Sequence, residues 1–363
     1  MLTSMIILAA GLSERMGVFK PMLPVGSQSA AVRCIRTAQA AGVHDIIVVT
    51  GNNRDELVEH LRNEAPEART VHNNDYNDGM FSSTCVGAAA LSDNIDGFFV
   101  LPSDCCAISA DTLKTLEKHF TISGAQAVTR PKFDGRRGHP PLIPIQHREG
   151  LLAYSGDGGL KGFLSPLPTV EVELDNRESL LDMDTPADYA ELLVHLGLPT
   201  YPDAEQCAAL FAKHRTPYDI IKHGEDVAAL ASELAQSISQ QGKSIDLDLL
   251  KSACRVHDIC RMHRQHAKAG MELLLKEGFP AAAVLIGTHM DLPDYVGEVG
   301  EAELLFLADK LWRRGKLTPL GDTLRELEAT YANDPQALAG ARQRLHTAQA
   351  ILGTLDKSQN LEF

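Results

Sequence analysis

The stretch Met5-Ile-Ile-Leu-Ala-Ala-Gly-Leu-Ser-Glu-Arg-Met-Gly17 joins an apolar run to a loop that contains two glycines. The run predicts a buried strand, and the glycines allow backbone amides to approach phosphate oxygens closely. Arg15 and Lys20 add positive charge to the same loop. An ordinary strand-to-helix turn is the alternative, which the two cations disfavour. The loop lacks the GK[ST] of a Walker A loop and is not a GxGxxG dinucleotide fingerprint.

From Met1 to about Leu196, short β-branched runs alternate with helical stretches. The runs that predict buried strands are Met5–Leu8, Asp45–Thr50 and Gly97–Leu101. The intervening stretches that predict helices are Gln28–Ala41, Arg54–Asn63 and Ala110–Phe120. Strands that alternate with helices favour an α/β sandwich around a mostly parallel, Rossmann-like sheet.

A polar stretch with two prolines, Gly197-Leu-Pro-Thr-Tyr-Pro-Asp203, ends this alternation and is interpreted as a linker. No convincing strand follows it, and the apolar periodicity favours helices. The predicted helices are Ala204–Lys213, Gly224–Gln241, Leu247–Cys260, Ala267–Glu277, Ala281–His289, Glu301–Arg314 and Thr323–Leu355. We therefore expect two domains: an α/β domain over residues 1–196, a linker over 197–205 and an all-helical domain over 206–363.

Composition limits the class of protein. The chain has 363 residues, of which 44% are hydrophobic and 23% charged, as expected for globular domains. A formal net charge of −14 disfavours non-specific nucleic-acid binding and attachment to anionic membranes. The longest apolar stretches, Met5–Gly11 and Phe98–Pro102, are too short to span a bilayer, and no secretory signal is evident. Seven scattered cysteines without a CxxC pair indicate reduced thiols and a cytoplasmic location.

Five further segments of the first half carry polar or glycine-rich patterns. They are Asn74-Asp-Tyr-Asn-Asp-Gly-Met-Phe-Ser-Ser-Thr84, Leu101-Pro-Ser-Asp104, Gly138-His-Pro-Pro141, Gly156-Asp-Gly-Gly159 and Asp182-Met-Asp-Thr-Pro186. Together with Leu8–Lys20, which matches the signature LAAGxSxRMGxxK, they resemble the MobA-like nucleotidyltransferases, especially the molybdenum cofactor cytidylyltransferases. The resemblance extends to about Leu193.

This resemblance implies transfer of a nucleotidyl group from an NTP to a phosphorylated acceptor. It implies nucleotide binding by Leu8, Ala9, Ala10, Gly11, Arg15, Lys20, Ser82 and Asp104. Among these residues, Arg15, Lys20 and Asp104 are expected to be catalytic. The acceptor, such as molybdopterin, is expected to contact Gly138, His139 and Pro140. Because LAAG rather than LAGG follows the first strand, the resemblance favours CTP over GTP.

Asp104 ends a buried strand, where open α/β sheets place ligands. With Asp182 or Asp184 from a later segment, it could hold Mg²⁺ through a few carboxylates and leave the phosphates to complete the coordination shell. Alone, Asp104 would more simply be a strand-end cap. One of Asp182 and Asp184 could instead cap the helix that begins at Pro186.

Two features depart from the pattern of the family or add to it. Cys105-Cys106 follows Asp104 where relatives usually have a proline-containing turn. A cationic cluster, defined by Arg130, Lys132, Arg136 and Arg137, is either a solvated loop or a clamp for an anionic acceptor such as a pterin phosphate.

In the helical half, imidazoles and carboxylates recur at His223, His257-Asp258, His266, His289 and Asp309. Neutral imidazole and carboxylate suit one or two transition metals. The order H…HD…D of His223, His257, Asp258 and Asp309 resembles the HD superfamily of metal-dependent phosphohydrolases over about residues 214–316. His266 and His289 look like the extra ligands of two-metal members, such as diadenosine-tetraphosphate hydrolases. The resemblance implies Fe, Mn, Zn, Co or Ni, with His257 and Asp258 as catalytic residues.

Other polar residues nearby are assigned more simply. His214 and His263 are expected at the surface. Arg255, Arg261 and Lys310 could contact phosphate but suit salt bridges better. No Gly-Tyr-Pro follows the HD pair, which disfavours the cyclic-dinucleotide branch of the superfamily.

The sequence therefore favours a bifunctional enzyme that transfers a nucleotidyl group and hydrolyses a phosphate ester or anhydride. Expected partners are CTP or GTP, a small phosphorylated acceptor and molybdoenzyme maturation proteins, without nucleic acid or membrane. An alternative keeps the transferase but uses a sugar or alditol phosphate as acceptor. In a further alternative, the HD half is a regulatory module that senses a nucleotide.

Overall fold

The protein is described by a computed structural model over residues 1–43, 45–239, 243–292 and 295–356. The chain divides into two compact units, Met1–Leu198 and Pro199–Phe363. Gln240 and Gln241, which end one predicted helix, lie outside the described residues. Residues 357–363, at the end of the predicted helical domain, also lie outside them.

The first unit is built on one large sheet, as predicted. Its strands are β1 Thr3–Ala9, β4 Asp45–Thr50, β5 Arg69–His72, β6 Gly97–Pro102, β7 Val128–Phe133, β8 Arg136–Arg137, β9 Leu142–Pro144 and β10 Thr169–Glu173. Two short strands, β2 Pro24–Val25 and β3 Gln28–Ser29, form a separate pair. The sheet order is β10-β7-β9-β6-β1-β4-β5, and β8 pairs with β7 beside this path. Neighbours in the β6-β1-β4-β5 half are parallel, whereas β9 is antiparallel to β6 and β7.

The three predicted strands correspond to β1, β4 and β6, which share the parallel half of the sheet. Their apolar residues alternate between the two faces. Ile6, Leu8, Ile47 and Val49 belong to one core cluster that includes Ala88 of a helix. Met5 and Ile7, which point the other way, are fully buried too, so both faces of the sheet are covered.

The helices of the first unit are α1 Ala30–Ala41, α2 Arg54–Glu64, α3 Met80–Ala89, α4 Ala110–Ile122, α5 Arg148–Leu152, α6 Gly159–Leu164 and α7 Pro186–His195. Short 3₁₀ helices lie at Lys20–Met22, Tyr76–Asp78, Ile145–His147 and Glu178–Leu180. The predicted start of α1 at Gln28 is wrong. Ser29 has extended backbone and its side chain accepts a hydrogen bond from the amide of Val32, so it caps a helix that begins at Ala30.

The second unit is mainly helical. Its helices are α8 Ala204–His214, α9 Tyr218–Ser239, α10 Leu247–Val256, α11 His266–Lys276, α12 Pro280–Thr288, α13 Glu301–Leu311, α14 Leu320–Thr330 and α15 Pro335–Asp356. Among the described residues, none of these helices or those of the first unit combines the length and apolar character needed to cross a membrane.

Several predicted bounds in this unit are corrected by the structure. Helix α9 begins six residues before the predicted Gly224, at Tyr218. Helix α10 ends at Val256 rather than Cys260, so the HD pair follows the helix instead of lying on it. The predicted helix Glu301–Arg314 ends at Leu311 and continues into a hairpin of β11 Trp312–Arg313 and β12 Lys316–Leu317, where no strand was expected.

The predicted helix Thr323–Leu355 is two helices, α14 and α15. The interruption falls before Pro335, which cannot donate a backbone hydrogen bond and disfavours helical conformation in the residue before it. Asp334 instead accepts a bond from the amide of Ala337 at the start of α15.

Candidate active sites

The loop after β1 and the turn after β6 meet at the carboxyl edge of the sheet, because these strands are parallel neighbours. The amide of Ser103 donates to the carbonyl of Leu8 at 3.0 Å. Together the two segments line a cleft of about 380 Å³ whose wall includes residues 8–15, Lys20 and Asp104. Open α/β sheets bind ligands at this edge. Apart from Ser82, the structure thus gathers the residues predicted to bind nucleotide into one cleft.

Lys20 lies at the centre of the charges in this cleft. Its Nζ is 3.1 Å from Oδ2 of Asp104 and 2.6 Å from Oδ1 of Asp184, and Arg15 bonds the other oxygen of Asp184 at 2.7 Å. Burial alone would lower the pKa of Lys20, but the two carboxylates outweigh burial and raise that pKa above its ordinary value. The Lys20 side chain is 12% exposed, whereas that of Arg15 is 69% exposed. Lys20 is therefore a largely buried positive charge held by two carboxylates, whereas Arg15 is open to solvent.

Asp182 and Asp184 have different surroundings. Burial raises the pKa of Asp182, and the negative charges of Asp184 and Asp104 raise it further. Burial would also raise the pKa of Asp184, but Lys20 and Arg15 hold it below its ordinary value. The negative charges of Asp182 and Asp104 therefore repel each other, and Lys20 offsets this repulsion only in part. A Mg²⁺ ion bound by these carboxylates would offset it further.

Neither aspartate caps the helix that follows them. Thr185 is the N-cap of α7: its hydroxyl accepts from the amide of Asp188, and the Asp188 carboxylate accepts from the amide of Thr185. The capping alternative for Asp182 and Asp184 is therefore wrong, and Asp184 instead bonds Lys20 and Arg15 of the cleft.

Ser82 is placed differently from the expectation. Its hydroxyl accepts from the Asn73 amide at 2.8 Å and lies within hydrogen-bond distance of the carbonyls of Asp75 and Gly79. It is thus engaged by its own loop. The neighbouring Ser83, which is 4% exposed, lines the cleft instead.

Of the three residues expected to contact the acceptor, Gly138, His139 and Pro140, only His139 lines an adjoining cleft of about 440 Å³. His139 shares its wall with Gly156, Gly158 and Gly159, the second glycine-rich pattern of the sequence. A Cβ on Gly138 would lie 2.4 Å from the carbonyl oxygen of Ser179, so only glycine allows this close packing. Pro140 follows His139 through a cis peptide bond.

The cationic cluster is not a set of four free cations. Lys132 and Arg137 both pair with Glu171 on β10, at 3.0 and 2.6 Å, and Arg136 is exposed. Arg130 differs, because its Nε is buried without a hydrogen-bond partner. Nδ1 of His139 is buried and unpartnered as well. If this region holds an anion, Arg130 and His139 are the residues that could contact it.

In the second unit, six side chains from five helices or helix ends converge. His223 lies on α9, His257 and Asp258 directly follow α10, His266 begins α11, His289 follows α12, and Asp309 lies on α13. A Cβ on Gly224 would lie 2.3 Å from the carbonyl of Arg255, so this glycine lets α9 approach the end of α10. That approach brings His223 to the HD pair. The structure thus brings together the full set of ligands predicted for this half.

Asp258 lies between the histidines. Its Oδ2 is 3.6 Å from Nε2 of His257 and 4.0 Å from Nε2 of His223. Its Oδ1 is 3.4 Å from Nε2 of His266 and 3.6 Å from Nε2 of His289. One carboxylate therefore faces two separate pairs of imidazoles.

Asp309 completes the first pair. Its Oδ1 is 3.2 Å from Nε2 of His223 and 3.4 Å from that of His257, while its Oδ2 accepts from Lys310 at 2.7 Å. Around Asp258, two sets of side chains could each hold a metal: His223–His257–Asp258 and Asp258–His266–His289.

Helix ends fix the orientation of two of the imidazoles. Nδ1 of His257 is 2.7 Å from the carbonyl of Cys254, and Nδ1 of His289 is 2.6 Å from that of Ile286. A carbonyl in the last turn of a helix has no i+4 helical partner, so each of these oxygens can accept a hydrogen bond from an Nδ1–H group. Both Nε2 atoms are buried without a hydrogen-bond partner: that of His257 is 3.4 Å from Oδ1 of Asp309, and that of His289 is 3.6 Å from Oδ1 of Asp258. Buried nitrogens of this kind, each oriented by a carbonyl, fit metal ligands.

The field at this cluster favours positive charge. Burial would lower the pKa of His257, but Asp309 and Asp258 outweigh burial and raise it. Burial would raise the pKa of Asp309, but Lys310, His223 and His257 hold it well below its ordinary value. The donor set and its charge therefore match divalent cations.

The predictions for the surrounding cations and histidines are largely confirmed. Arg255 pairs with Glu225 at 3.0 Å, and Arg261 is 3.4 Å from Asp258. His214 and His263 are exposed. A cleft of about 550 Å³ next to the cluster is lined by Trp312, Tyr331 and Arg344, among others, which no sequence pattern indicated. In the sequence, a hint of this wall lies in the position of the single tryptophan, Trp312, three residues after the predicted ligand Asp309.

The two sites define the class of the protein: an enzyme that combines a nucleotidyltransferase-type α/β unit with a helical unit built around a histidine–aspartate cluster. Residues 5–172 match the family described as the MobA-like NTP transferase domain, and residues 220–314 match the HD domain.

Known proteins are similar to the first unit. The molybdenum cofactor cytidylyltransferase of Escherichia coli (strain K12) is 30% identical over 184 residues, which are 51% of this chain and 92% of that protein. The structure of Rv0371c from Mycobacterium tuberculosis H37Rv is 21% identical with a TM-score of 0.47, covering 53% of this chain and 99% of that one. A nucleotidyl transferase from Methanothermobacter thermautotroptrophicus (Mth528) is 22% identical with a TM-score of 0.47, covering 53% of this chain and 97% of that one. The chain therefore belongs to the MobA-like nucleotidyltransferase family through its first unit, and residues 220–314 of its second unit match the HD domain.

Proposed function

We propose that the first unit transfers a cytidylyl group from CTP to a phosphorylated acceptor such as molybdopterin or the molybdenum cofactor, and that the second unit hydrolyses a phosphate ester or anhydride. The observation that carries the first activity is Lys20 held between Asp104 and Asp184 beside the β1 loop. The observation that carries the second is Asp258 placed between two pairs of imidazoles. The name and 30% identity of the E. coli relative support the choice of donor and acceptor.

In the transfer reaction, an acceptor phosphate oxygen bonds to the α-phosphorus and the bond to the β-phosphate oxygen breaks, which releases pyrophosphate. Negative charge grows on the departing phosphates, so positioned cations supply most of the catalysis. Lys20 provides one such charge from a buried, fixed position, and Arg15 can turn from Asp184 toward the phosphates.

Asp104 and Asp182 are the carboxylates we expect to hold Mg²⁺. Asp184 instead orients Lys20 and Arg15, since it already bonds both. The magnesium ion, when bound, neutralises charge on the phosphates. Sequence alone left the choice between Asp182 and Asp184 open.

CTP should outcompete GTP as donor. The E. coli relative, 30% identical over 184 residues, is by name a cytidylyltransferase, and LAAG at residues 8–11 favours the same donor. An equimolar mixture of CTP and GTP with a molybdopterin-type acceptor should therefore yield mainly the cytidylylated product by mass spectrometry. Equal or reversed product ratios would refute the preference, and Lys20→Ala, run in parallel, shows the background without phosphate positioning.

In the hydrolytic reaction, a water oxygen bonds to phosphorus, the bond to the leaving oxygen breaks, and that oxygen receives a proton from the water. His223, His257, Asp258 and Asp309 would hold one metal, and Asp258, His266 and His289 a second. Divalent metals bound there would activate water and polarise a phosphoryl oxygen. Lys310 and Arg261, which flank Asp309 and Asp258, add positive charge where a phosphate would lie.

His266→Ala should weaken one of the two metals and spare the other. Its Nε2 is 3.4 Å from Oδ1 of Asp258 and 3.2 Å from Arg261, whereas the His223–His257 pair faces Oδ2 of Asp258. Metal analysis after dialysis should therefore fall from about two to about one ion per chain. His214→Ala, which changes an exposed histidine of the same unit, is the matched control and should keep the wild-type content. Equal loss of both metals, or no loss, would contradict two separable sites.

A sugar or alditol phosphate as acceptor, and an HD unit that only senses nucleotide, remain the competing functions. The convergence of all six imidazoles and carboxylates favours turnover over sensing, because a module that only senses would not need two complete candidate metal sets. We further propose a cytoplasmic location and, as partners, molybdoenzyme maturation proteins rather than nucleic acid or membrane.

A further inference from the structure

The cleft beside the histidine–aspartate cluster has an apolar, aromatic wall. The cleft has a volume of about 550 Å³. It is lined by His223, Asp258 and Asp309 of the cluster and also by Trp312, Tyr331 and Leu345. Leu345 is only 3% exposed, so the wall is built into the unit. A volume of this size accommodates an organic molecule, whereas inorganic phosphate needs no apolar wall.

Two polar groups in this wall are buried without a partner. They are Nε1 of Trp312 and Oγ1 of Thr323, and Thr323 is only 2% exposed. Native proteins rarely leave such groups unsatisfied, because the desolvation cost is not offset. Trp312 and Thr323 both line the cleft, so a small shift of either side chain would let a ligand with ring nitrogens or carbonyl oxygens supply the missing partner.

Positive charge lies at the mouth of the same cleft. Arg344 lines it and pairs at 2.7 Å with Asp291, whose side chain is 73% exposed. An ion pair this exposed is weak, so Arg344 can exchange Asp291 for a ligand anion. The cleft thus combines a metal-type cluster, an aromatic wall and an available guanidinium.

Most of this wall lies outside the HD-domain match. The match ends at residue 314, whereas Thr323 and Tyr331 belong to α14 or follow it, and Arg344 and Leu345 belong to α15. The wall is therefore an addition to the helices that carry the metal-type residues, in the position where it would select the organic part of a substrate.

We propose that this wall binds the flat heteroaromatic part of an organic phosphate monoester of the nucleoside monophosphate type, and that it places the phosphate at the histidine–aspartate cluster. For hydrolysis this inference rests on the proposed phosphohydrolase function, but ligand binding does not depend on turnover. The reaction would add water across the P–O ester bond and release the nucleoside and inorganic phosphate, with a water proton ending on the leaving oxygen.

Trp312 gives a direct reading of binding, since it is the single tryptophan of the chain. Full-length protein carrying Lys20→Ala, which weakens the nucleotide site of the first unit, is titrated with CMP and AMP and then with ribose 5-phosphate and inorganic phosphate. Saturable quenching of tryptophan fluorescence by the nucleotides, with much weaker effects of the ring-free phosphates, supports the inference. Identical responses to all four compounds, or no response to the nucleotides, overturn it.

A second comparison uses the metal-reconstituted full chain. Tyr331→Ala should raise KM for a nucleoside monophosphate by about tenfold, because a base–aromatic contact is lost, while KM for ribose 5-phosphate stays unchanged. Tyr218→Ala, a tyrosine that is 78% exposed and outside the cleft, is the matched control and should behave as wild type. An equal rise in KM for both substrates would overturn the inference.

The two proposals fail in different ways. Nucleotide-dependent quenching without any phosphate release supports the binding wall and refutes the phosphohydrolase. Hydrolysis of inorganic pyrophosphate or ring-free esters only, without quenching by nucleotides, supports the phosphohydrolase and overturns the wall.

Discussion

Asp104→Ala should lower cytidylyl transfer by at least about two orders of magnitude, a loss typical of removing one key electrostatic group from an active site. The carboxylate follows β6 at the carboxyl edge of the sheet, bonds Lys20 and faces Asp182. Its removal takes away a Mg²⁺ ligand and the group that positions Lys20. The initial rate of pyrophosphate release with CTP and a molybdopterin-type acceptor, at fixed Mg²⁺, measures the effect.

Asp111→Ala is the matched control for this prediction, because its side chain is 95% exposed on α4 of the same unit. It should transfer at the wild-type rate. Circular dichroism should show that both variants are folded. A wild-type rate in Asp104→Ala would refute the metal assignment.

Replacing His257 and Asp258 together with alanine should abolish phosphate release and leave the second unit nearly free of metal. His257 is fully buried with its Nε2 facing the cluster, and Asp258 is the one carboxylate that faces both imidazole pairs. Both candidate metal sets therefore lose ligands at once. Elemental analysis of purified full-length protein and a phosphate-release assay measure the two consequences.

His263→Ala is the matched control, since this exposed histidine follows the HD pair by five residues without facing the cluster. It should retain metal and activity. The double variant should also keep the transfer activity of the first unit. Metal content equal to wild type in the double variant would contradict the assigned ligands.

In the α/β half, the sequence predicted those features that depend on residues close together in the chain. The β1 loop is contiguous from Leu8 to Lys20, and its strand is a β-branched run, so both site and fold were readable. The roles of Asp182 and Asp184 were not readable, because both lie in one short motif. They differ only in partners that arrive from distant segments: Asp184 meets Lys20 and Arg15, whereas Asp182 faces carboxylates.

In the helical half, the order of imidazoles and carboxylates identified the side chains that converge but not the geometry of their cluster. That His257 and His289 follow helix ends, whose carbonyls orient their rings, depends on where α10 and α12 stop. The aromatic wall was missed for a similar reason. Trp312, Tyr331 and Leu345 are scattered over a hairpin and two helices that the sequence pattern merged into longer helices.

We propose that one chain carries two separate catalytic centres, one in each unit. The most direct test measures phosphate release from a nucleoside phosphate by three full-length proteins reconstituted with Mn²⁺: wild type, Asp104→Ala, and the variant with both His257 and Asp258 replaced by alanine. We expect release by wild type and Asp104→Ala at similar rates, and none by the double variant. Loss of release in Asp104→Ala, or persistence of release in the double variant, would contradict the claim.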